Sequence, residues 1–343
     1  MIQQLQDIQA SSGATFDVSH IPVSFGNDSE ALEAAKNGVA ICDRTHWGII
    51  KVTGGDRIRF LHNQSTNNFE RLKPGEGCDT VFVTSTARTI DLATAYLTDD
   101  WVLLITSPNR YKYLLEWLDR YIFFADKVEL IDITQKTAIF SLIGSKSSDL
   151  VSKRGLEAII GQPLGNHLLI DDVRIAVGSG LAIPGYTLIV SAENAAKVWQ
   201  MLVEAGAVPM GDLVWEQLRI QQGRPFPDKE LTEDYNPLEA GLLQTISFDK
   251  GCYIGQETIA RLNTYKGVKQ SLWGINLDAI AEVGSVIMVG EEKVGKLTSI
   301  VESDRGYFGL GYIRTKAGGA GLKVQIGETI GEVVEVPFLS RAQ

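Results

Sequence analysis

Over residues 1–267, the spacing of hydrophobic positions changes repeatedly between the period of a strand and that of an amphipathic helix. Gly48–Thr53 has the composition of a strand, and Asp56–His62 is predicted to form a short helix. Thr89–Leu97 and Trp101–Thr106 are predicted strands, and the Thr-Asp-Asp between them is typical of a hairpin. This mixture of short strands and helices predicts an α+β fold.

Three longer helices are predicted where hydrophobic positions line one helical face. Asn109 is a candidate N-cap for the first, and Ser191 for the second, which Gly206 would end. The third helix is predicted over residues 213–222 and ends before Gly223.

The pattern changes near residue 268, where the helical period stops and glycines separate six short strands. Regular short strands of this kind predict a small β-barrel or sandwich of about 75 residues. The six strands are predicted at Ser271–Leu277, Ser285–Val289, Glu292–Ile300, Tyr307–Tyr312, Leu322–Ile326 and Thr329–Val336.

The composition is that of a globular protein with two or three domains, with 44% apolar and 22% charged residues in a chain of 343. A formal net charge of −10 disfavours binding to nucleic acid or to an anionic membrane. No secretory signal and no bilayer-spanning run is predicted. We expect no direct nucleic-acid or membrane partner, and a cytoplasmic location, or a plastid or mitochondrial one if a transit peptide has been removed.

The cysteines and histidines do not form a predicted metal site or disulfide framework. Cys42, Cys78 and Cys252 are widely separated, and the four histidines are scattered along the chain. A reducing compartment and the absence of a bound metal are therefore expected.

The segment around Cys252 is the strongest candidate for chemistry. Lys250 precedes the cysteine by two positions, Gly251 and Gly255 lie on either side of Cys-Tyr-Ile, and a predicted helix carrying Arg261 follows. A cysteine in the loop before a helix, with basic neighbours, favours the reactive thiolate. The alternative is a small residue buried in a tight turn.

Residues 250–257, Lys-Gly-Cys-Tyr-Ile-Gly-Gln-Glu, resemble the signature Lys-Gly-Cys-Tyr-x-Gly-Gln-Glu of the YgfZ family. These proteins share the fold of the glycine-cleavage T-protein, an aminomethyltransferase that depends on tetrahydrofolate. Further segments resemble the same superfamily: Asp43–Gly48, Val52–Asp56, Leu218–Pro225, Asn236–Glu239, Gly295–Ser299, Leu310–Arg314 and Val336–Phe338.

The resemblance implies a T-protein-like architecture of three domains around a central folate channel. A discontinuous folate-binding domain is expected over residues 1–50 and about 137–267, with an α+β domain over about 51–136. The C-terminal β-barrel domain is expected over residues 268–343.

The resemblance also implies a cofactor and a function. Tetrahydrofolate, or a one-carbon derivative of it, would be bound by a chain that supports iron–sulfur cluster assembly or repair, including the clusters of tRNA-modifying enzymes. Iron–sulfur proteins would be the clients of a monomer. The three separated cysteines do not themselves predict a cluster site.

Asp91 is a candidate catalytic residue with Cys252, because T-proteins carry an aspartate pair at this place. The second member of the pair is Leu92 here, and Gln221 stands where T-proteins tend to have glutamate. Both departures disfavour aminomethyl transfer. The alternative for Asp91 is a solvated polar position on a strand.

The predicted folate-binding residues combine acidic, basic and aromatic side chains. The carboxylate of Glu239 suits the donor edge of a pterin, with a helix-start carboxylate as the alternative. Lys266 and Lys269 add to a basic cluster for the glutamate tail, unless they are only solvated surface. Aromatic residues would stack on the ligand or belong to the core. The predicted set is Lys250, Tyr253, Gln256, Arg261, Glu239, Trp215 and Arg219.

Three functions stay open at this point. The first is a folate-dependent maintenance factor that uses Cys252, and the second is a folate-dependent aminomethyl- or methyltransferase. The third is a non-catalytic docking scaffold, which would not need a thiol at position 252. Whether any reaction is catalysed is left open.

Overall fold

The computed structural model of the chain describes residues 2–108, 110–303 and 306–341. The chain divides into two compact units, each assembled from separate stretches of sequence. The first unit consists of Met1–Phe60, Glu70–Asp79 and Ala93–Leu218. The second unit consists of Leu61–Phe69, Thr80–Leu92 and Arg219–Gln343.

The described residues contain eight α-helices, and those predicted near residues 56–62 and 213–222 are confirmed as α3 and α7. Asn194, not Ser191, is the N-cap residue of α6, because the chain turns once more before the helix starts. The predicted cap Asn109 lies outside the described residues. The helices are α1 (Ile2–Ser11), α2 (Asp28–Asn37), α3 (Arg57–Gln64), α4 (Tyr111–Asp119), α5 (Ser147–Ser152), α6 (Ala195–Glu204), α7 (Asp212–Gln222) and α8 (Gln256–Thr264).

The strands are short, and most of them belong to three larger sheets. In chain order they are β1 (Thr15–Phe16), β2 (Pro22–Ser24), β3 (Ala40–Asp43), β4 (Gly48–Thr53), β5 (Gly77–Val83), β6 (Thr89–Leu97), β7 (Trp101–Thr106), β8 (Glu129–Asp132), β9 (Thr137–Ile143), β10 (His167–Ile170), β11 (Val173–Val177), β12 (Gly185–Ser191), β13 (Val208–Met210), β14 (Gln270–Leu277), β15 (Val286–Val289), β16 (Glu292–Ser303), β17 (Gly306–Arg314), β18 (Lys323–Ile326) and β19 (Thr329–Val334).

The first sheet has the strand order β10-β11-β12-β9-β3-β13. β3 lies between β9, with which it is antiparallel, and β13, with which it is parallel. One face of this sheet packs on α6, where the ring of Trp199 lies edge-on to Phe140 with 5.4 Å between centroids. Burial of such large apolar side chains is the main stabilising contribution to this core.

The second sheet has the order β5-β6-β7-β4-β8 and comes from one continuous stretch of chain. β6 and β7 form the predicted hairpin, with Leu97 opposite Val102. Leu114, Trp117 and Leu118 are the buried residues of α4, as their helical spacing predicts.

The C-terminal strands close into a six-stranded barrel of order β14-β17-β16-β15-β18-β19. The predicted C-terminal barrel is therefore confirmed, with all six strands within a few residues of their predicted bounds. Its apolar interior includes Ile275, Leu297 and Val333, which are fully buried. Closure pairs β14 with both β17 and β19, so that each of these strands has two neighbours.

None of the helices in the described part of the chain combines the length and the apolar character needed to cross a membrane.

Candidate functional site around Cys252

Two backbone hydrogen bonds attach the loop that carries Cys252 to the end of α3 within the second unit. The Ser247 N–H donates to the carbonyl of Thr66 (3.0 Å), and the Ile254 N–H donates to the carbonyl of Asn63 (3.1 Å). These bonds hold both ends of the loop, and Cys252 lies between them at the surface.

Lys250 connects the loop to the same segment through its side chain. The buried ammonium group donates to the carbonyl oxygens of Ser65 (2.8 Å), Asn67 (2.7 Å) and His62. Carbonyls at a helix C-terminus lack intrahelical partners and carry partial negative charge, so a cation stabilises them. Lys250 therefore holds the end of α3, and its predicted role in binding folate stays a prediction.

The absence of a side chain at Gly255 allows α8 to begin close to the turn between β5 and β6. It is the N-cap residue of α8 and has φ +80°, a conformation that residues with a side chain rarely adopt. A Cβ atom at this position would lie 2.8 Å from the carbonyl oxygen of Thr84 and 3.1 Å from Cα of Ala87. A glycine is thus required for the helix to begin this close to the turn.

Tyr253, the residue after the cysteine, is buried in an apolar cluster with Leu92 and Ile259. Its ring centroid lies 4.7 Å from Nζ of Lys250, which is a cation–π contact. Burial raises the pKa of Tyr253 to about 12, so the phenol stays neutral near pH 7. Its predicted stacking on a pterin stays a prediction.

Cys252 is the exposed cysteine of the chain, whereas Cys42 is buried and Cys78 is partly buried. Burial raises the pKa of the Cys42 thiol well above its usual value, with Asp212 adding to the effect. Cys252 lies three positions before Gly255, in the loop that precedes α8, as the sequence predicts. Of the three thiols, it is the most accessible to reagents and partner molecules in solution.

Asp91 is fully buried on β6, at the position next to Leu92. Successive side chains of a strand point to opposite faces, so Asp91 faces away from the cluster that Leu92 shares with Tyr253. The position at which the resemblance predicts a second acid is thus held by a core leucine, Leu92. Asp91 and the aromatic ring of the cysteine loop lie on opposite faces of one strand.

Glu239 and Asn236 are joined by reciprocal hydrogen bonds in a turn. The Asn236 N–H donates to the Glu239 carboxylate (3.1 Å), and the Asn236 side-chain oxygen accepts from the N–H groups of Leu238 (3.0 Å) and Glu239 (3.1 Å). Burial raises the pKa of Glu239, while the Asn236 N–H and the nearby Arg88 and Lys269 act in the opposite direction. Residues 237–241 form a turn and no helix begins there, so the helix-start alternative is not confirmed, and the pterin contact stays a prediction.

Arg219 lies in a buried ion pair that the sequence did not reveal. Its guanidinium donates to the carboxylate of Glu230 (2.9 Å) and to the Ser299 hydroxyl (3.0 Å). The Glu230 carboxylate also accepts from Thr298 (2.8 Å) and Ser299 (2.6 Å). Glu230 has no local sequence signal, since it stands in a run of charged residues typical of a solvated loop.

Trp215 belongs to the first unit, where its ring lies edge-on to Trp47 with 5.4 Å between centroids. On α8, Gln256 is partly buried in the first turn and Arg261 is exposed in the last. Five positions correspond to a rotation of about 140° around a helix, so these two side chains do not share one face. Their folate contacts stay predictions.

Within the described residues, the structure contains no group of three or more histidine, cysteine or acidic side chains that could hold a metal ion.

Comparison with known proteins gives a consistent result. The family model "GCVT N-terminal domain" matches residues 5–159. A chloroplastic protein of Arabidopsis thaliana, named as a putative transferase, is 51% identical over 337 residues, which cover 96% of this chain and 78% of that protein. An aminomethyltransferase of Halalkalibacterium halodurans is 28% identical over 345 residues, or 94% and 92% of the two chains.

The crystal structure of glycine cleavage system aminomethyltransferase T from Bartonella henselae superimposes with a TM-score of 0.88 at 17% identity, over 98% of each chain. The predicted T-protein-like fold is thereby confirmed. The chain belongs to the GCVT family and has its aminomethyltransferase-like fold.

Proposed function

We propose that this protein binds tetrahydrofolate, or a one-carbon derivative of it, and uses the thiol of Cys252 to support the assembly or repair of iron–sulfur clusters. The observation that carries the proposal is an exposed cysteine on a loop held at both ends, within a family whose fold is that of an aminomethyltransferase. The resemblance of residues 250–257 to the YgfZ signature supports the maintenance role, including service to tRNA-modifying enzymes as clients.

The side chains of the second unit fit a folate in part. Asp91 offers a fully buried carboxylate, and Oε1 of Gln64 is buried with no hydrogen-bond partner among the described residues. Both are acceptors, which suits the amine and N–H donors of a pterin. Lys250, Glu239 and Arg219 bind protein groups.

In this proposal Asp91 and Gln64 orient the pterin, and exposed cations such as Arg261 attract its acidic tail. Folate supplies a carrier for one-carbon groups when bound. Lys250 keeps the cysteine loop on the end of α3, and Cys252 presents its sulfur to the client protein.

A folate-dependent transferase is the second candidate, favoured by aminomethyltransferases that match this chain over almost its full length. Leu92 argues against it, because this position is 1% exposed and packs among apolar side chains. With leucine at position 92, Asp91 is the one acidic residue of β6 that would act on the transferred group. A docking scaffold is the third candidate, and it would function with serine at position 252.

A chloroplast is the proposed location, supported by the name of the Arabidopsis relative. We propose a monomer whose partners are folate and iron–sulfur proteins.

Calorimetric titration with tetrahydrofolate, folinic acid and polyglutamyl folates tests the cofactor, using the native chain and Cys252→Ser. Equal binding by both proteins is expected, and absence of binding by both would remove folate from the proposal. In cells that lack the protein, Cys252→Ser is expected to leave iron–sulfur enzymes inactive. Full rescue by the serine variant would leave the scaffold as the better reading, and aminomethyl transfer by the purified chain would favour the transferase.

A further inference from the structure

One side of α8 is exposed, and the helix begins shortly after Cys252. The cysteine lies at the surface in the loop before this helix. Arg261 and Tyr265 stand one turn apart on the exposed side, and Tyr265 is 78% exposed. There the helix ends, because the Gly267 N–H donates to the carbonyl of Leu262 (2.9 Å) and the chain turns back. The residues that follow therefore stay close to the end of α8.

Thr315 joins the segment after α8 to the end of the barrel strand β17. Its N–H donates to the carbonyl of Lys269 (2.9 Å), and its hydroxyl donates to the carbonyl of Val268 (2.9 Å). Arg314 and Lys316 are the neighbours of Thr315 in sequence. Cations from the helix end, the connecting segment and the barrel are thus brought together within the second unit.

Four exposed cations make up this region, which we call the cationic surface: Arg261, Lys269, Arg314 and Lys316. None of the four forms an ion pair with another residue in the described part of the chain. No aspartate or glutamate occurs in residues 258–277 or 306–327, although the whole chain has a net charge of −10. The cationic surface therefore differs in sign from the protein as a whole.

Few acidic groups lie around the cationic surface. Glu257 precedes Arg261 by one turn on α8. Glu239 is buried, and the nearby Lys269 acts to lower its pKa. The strand β16, which pairs with β17, begins with Glu292 and Lys293, whose charges cancel. The surface therefore keeps an excess of positive charge.

The chemistry of the cationic surface fits an acidic face of a folded protein. Arginine and tyrosine are among the side chains that contribute most to protein–protein interfaces, and Tyr265 lies beside Arg261. Complementary charge steers such a partner to the surface and fixes its orientation. A long nucleic-acid backbone fits less well, because the net charge of −10 repels it beyond this small region.

Cys252 and the cationic surface fall within the area of one interface. An interface of ordinary size covers about 800 Å² on each partner, which is about 30 Å across. The nine residues of α8 span about 14 Å. A protein that docks on the cationic surface is therefore large enough to reach the cysteine loop.

We propose that the cationic surface is the docking site for an acidic face of a client protein, which it holds beside the thiol of Cys252. The inference rests on the proposed function of that cysteine and adds the surface chemistry of the clients.

The experiment measures binding of the full chain to a [2Fe–2S] ferredoxin of net negative charge, by calorimetry at about 20 mM and about 200 mM salt. Binding that weakens with salt is expected. Arg314→Glu with Lys316→Glu reverses two charges that the proposed folate site does not use. We expect about tenfold weaker ferredoxin binding by this variant and unchanged folate binding. Arg314→Gln with Lys316→Gln, which removes the charges without reversing them, should give an intermediate loss.

Lys112→Glu with Lys197→Glu is the matched control. It changes the net charge by the same amount at exposed positions of α4 and α6 in the first unit. Its affinity for ferredoxin is expected to stay within about twofold of the native value. An effect equal to that of the Arg314 and Lys316 reversal would show that only net charge matters and would overturn the proposal.

Alkylation of Cys252 by iodoacetamide, followed by mass spectrometry of its peptide, tests whether the docked protein covers the thiol. Bound ferredoxin is expected to slow the reaction about fivefold or more. An unchanged rate in the complex, no binding at low salt, or tighter binding of a single-stranded RNA than of ferredoxin would overturn the proposal. Cys252→Ser should bind ferredoxin like the native chain, so failure of docking is distinguishable from failure of the proposed function.

Discussion

Arg219 and Glu230 form an ion pair of 2.9 Å in which both side chains are completely buried. The carboxylate receives two hydroxyl donors from the barrel strand β16 and the N–H of Phe226 (3.1 Å). Because each charge is compensated by several partners, the pair is stable only as a complete network.

Removing one partner of this pair is expected to be costly. Arg219→Leu leaves the Glu230 carboxylate buried without its cation, and we expect a loss of about 3–5 kcal/mol in the free energy of unfolding. Urea unfolding measures the change. Lys323→Ala is the matched control, because its ion pair with Glu332 lies on the surface and is worth less than about 1 kcal/mol. Equal effects of the two substitutions would contradict the assigned role.

Lys250→Met tests whether this lysine stabilises the fold by binding the carbonyls at the end of α3 or instead binds folate. Three carbonyls at the end of α3 lose their donor, and we expect a loss of about 2–3 kcal/mol in stability. The N–H of Ile254 should also exchange faster with solvent, since the loop loses one of its attachments. The exposed Lys316→Met is the control. Unchanged stability and exchange, with weaker folate binding, would make Lys250 a ligand residue instead.

Gly255→Ala adds one methyl group where the backbone has positive φ and the Thr84 carbonyl lies 2.8 Å away. We expect a loss of about 1–3 kcal/mol, measured by chemical unfolding. Gly55→Ala is the comparison, because open space surrounds Gly55, and it should stay within about 0.5 kcal/mol of the native chain. A neutral effect at Gly255 would show that the turn can move away.

Because the pKa of His167 is lowered in the folded chain, we expect the free energy of unfolding to decrease in acid. Its ring bridges the Leu97 carbonyl (2.9 Å) and the Arg174 guanidinium (2.8 Å), and burial together with Arg174 lowers its pKa to about 4. In the unfolded chain the group binds its proton near pH 6.5, so protonation favours unfolding as the pH falls from 6.5 to about 4. His46, whose pKa is also lowered to about 4 by burial, acts in the same direction.

Unfolding midpoints measured between pH 7 and pH 4 check this expectation. His167→Gln keeps a donor and an acceptor but binds no proton, so its stability should fall less steeply across that range. His20→Gln, a change in an exposed loop, is the control. A slope equal to that of the native chain would show that His167 does not contribute to acid unfolding.

Sequence periodicity was sufficient for the elements whose signals are local. Glycines separate the barrel strands, which were predicted near their actual bounds, and Gly255 precedes α8, the helix that was predicted to carry Arg261. The cap of α6 was placed wrongly at Ser191 because serine, a good cap, stands shortly before Asn194.

The partners of site residues were less predictable, because they are distant in sequence. Lys250 binds backbone carbonyls, which every residue possesses, so nothing in the sequence marks Ser65 or Asn67 as acceptors. Glu230 resembles a solvated charge until Thr298 and Ser299 of the barrel approach it. Such roles arise from tertiary packing and not from local pattern.

The position of β3 has a consequence for synthesis of the chain. This strand is made early but lies between β9 and β13, so one edge stays unpaired until Ile143 has left the ribosome and the other until Met210 has done so. The residues between β3 and β9 form the sheet of β4–β8. Most strands of this sheet pair with strands close to them in sequence, so they can pair before β3 does. Translation at about 5–20 residues per second leaves β3 exposed for many seconds. A chaperone that shields this edge would protect the nascent protein from aggregation.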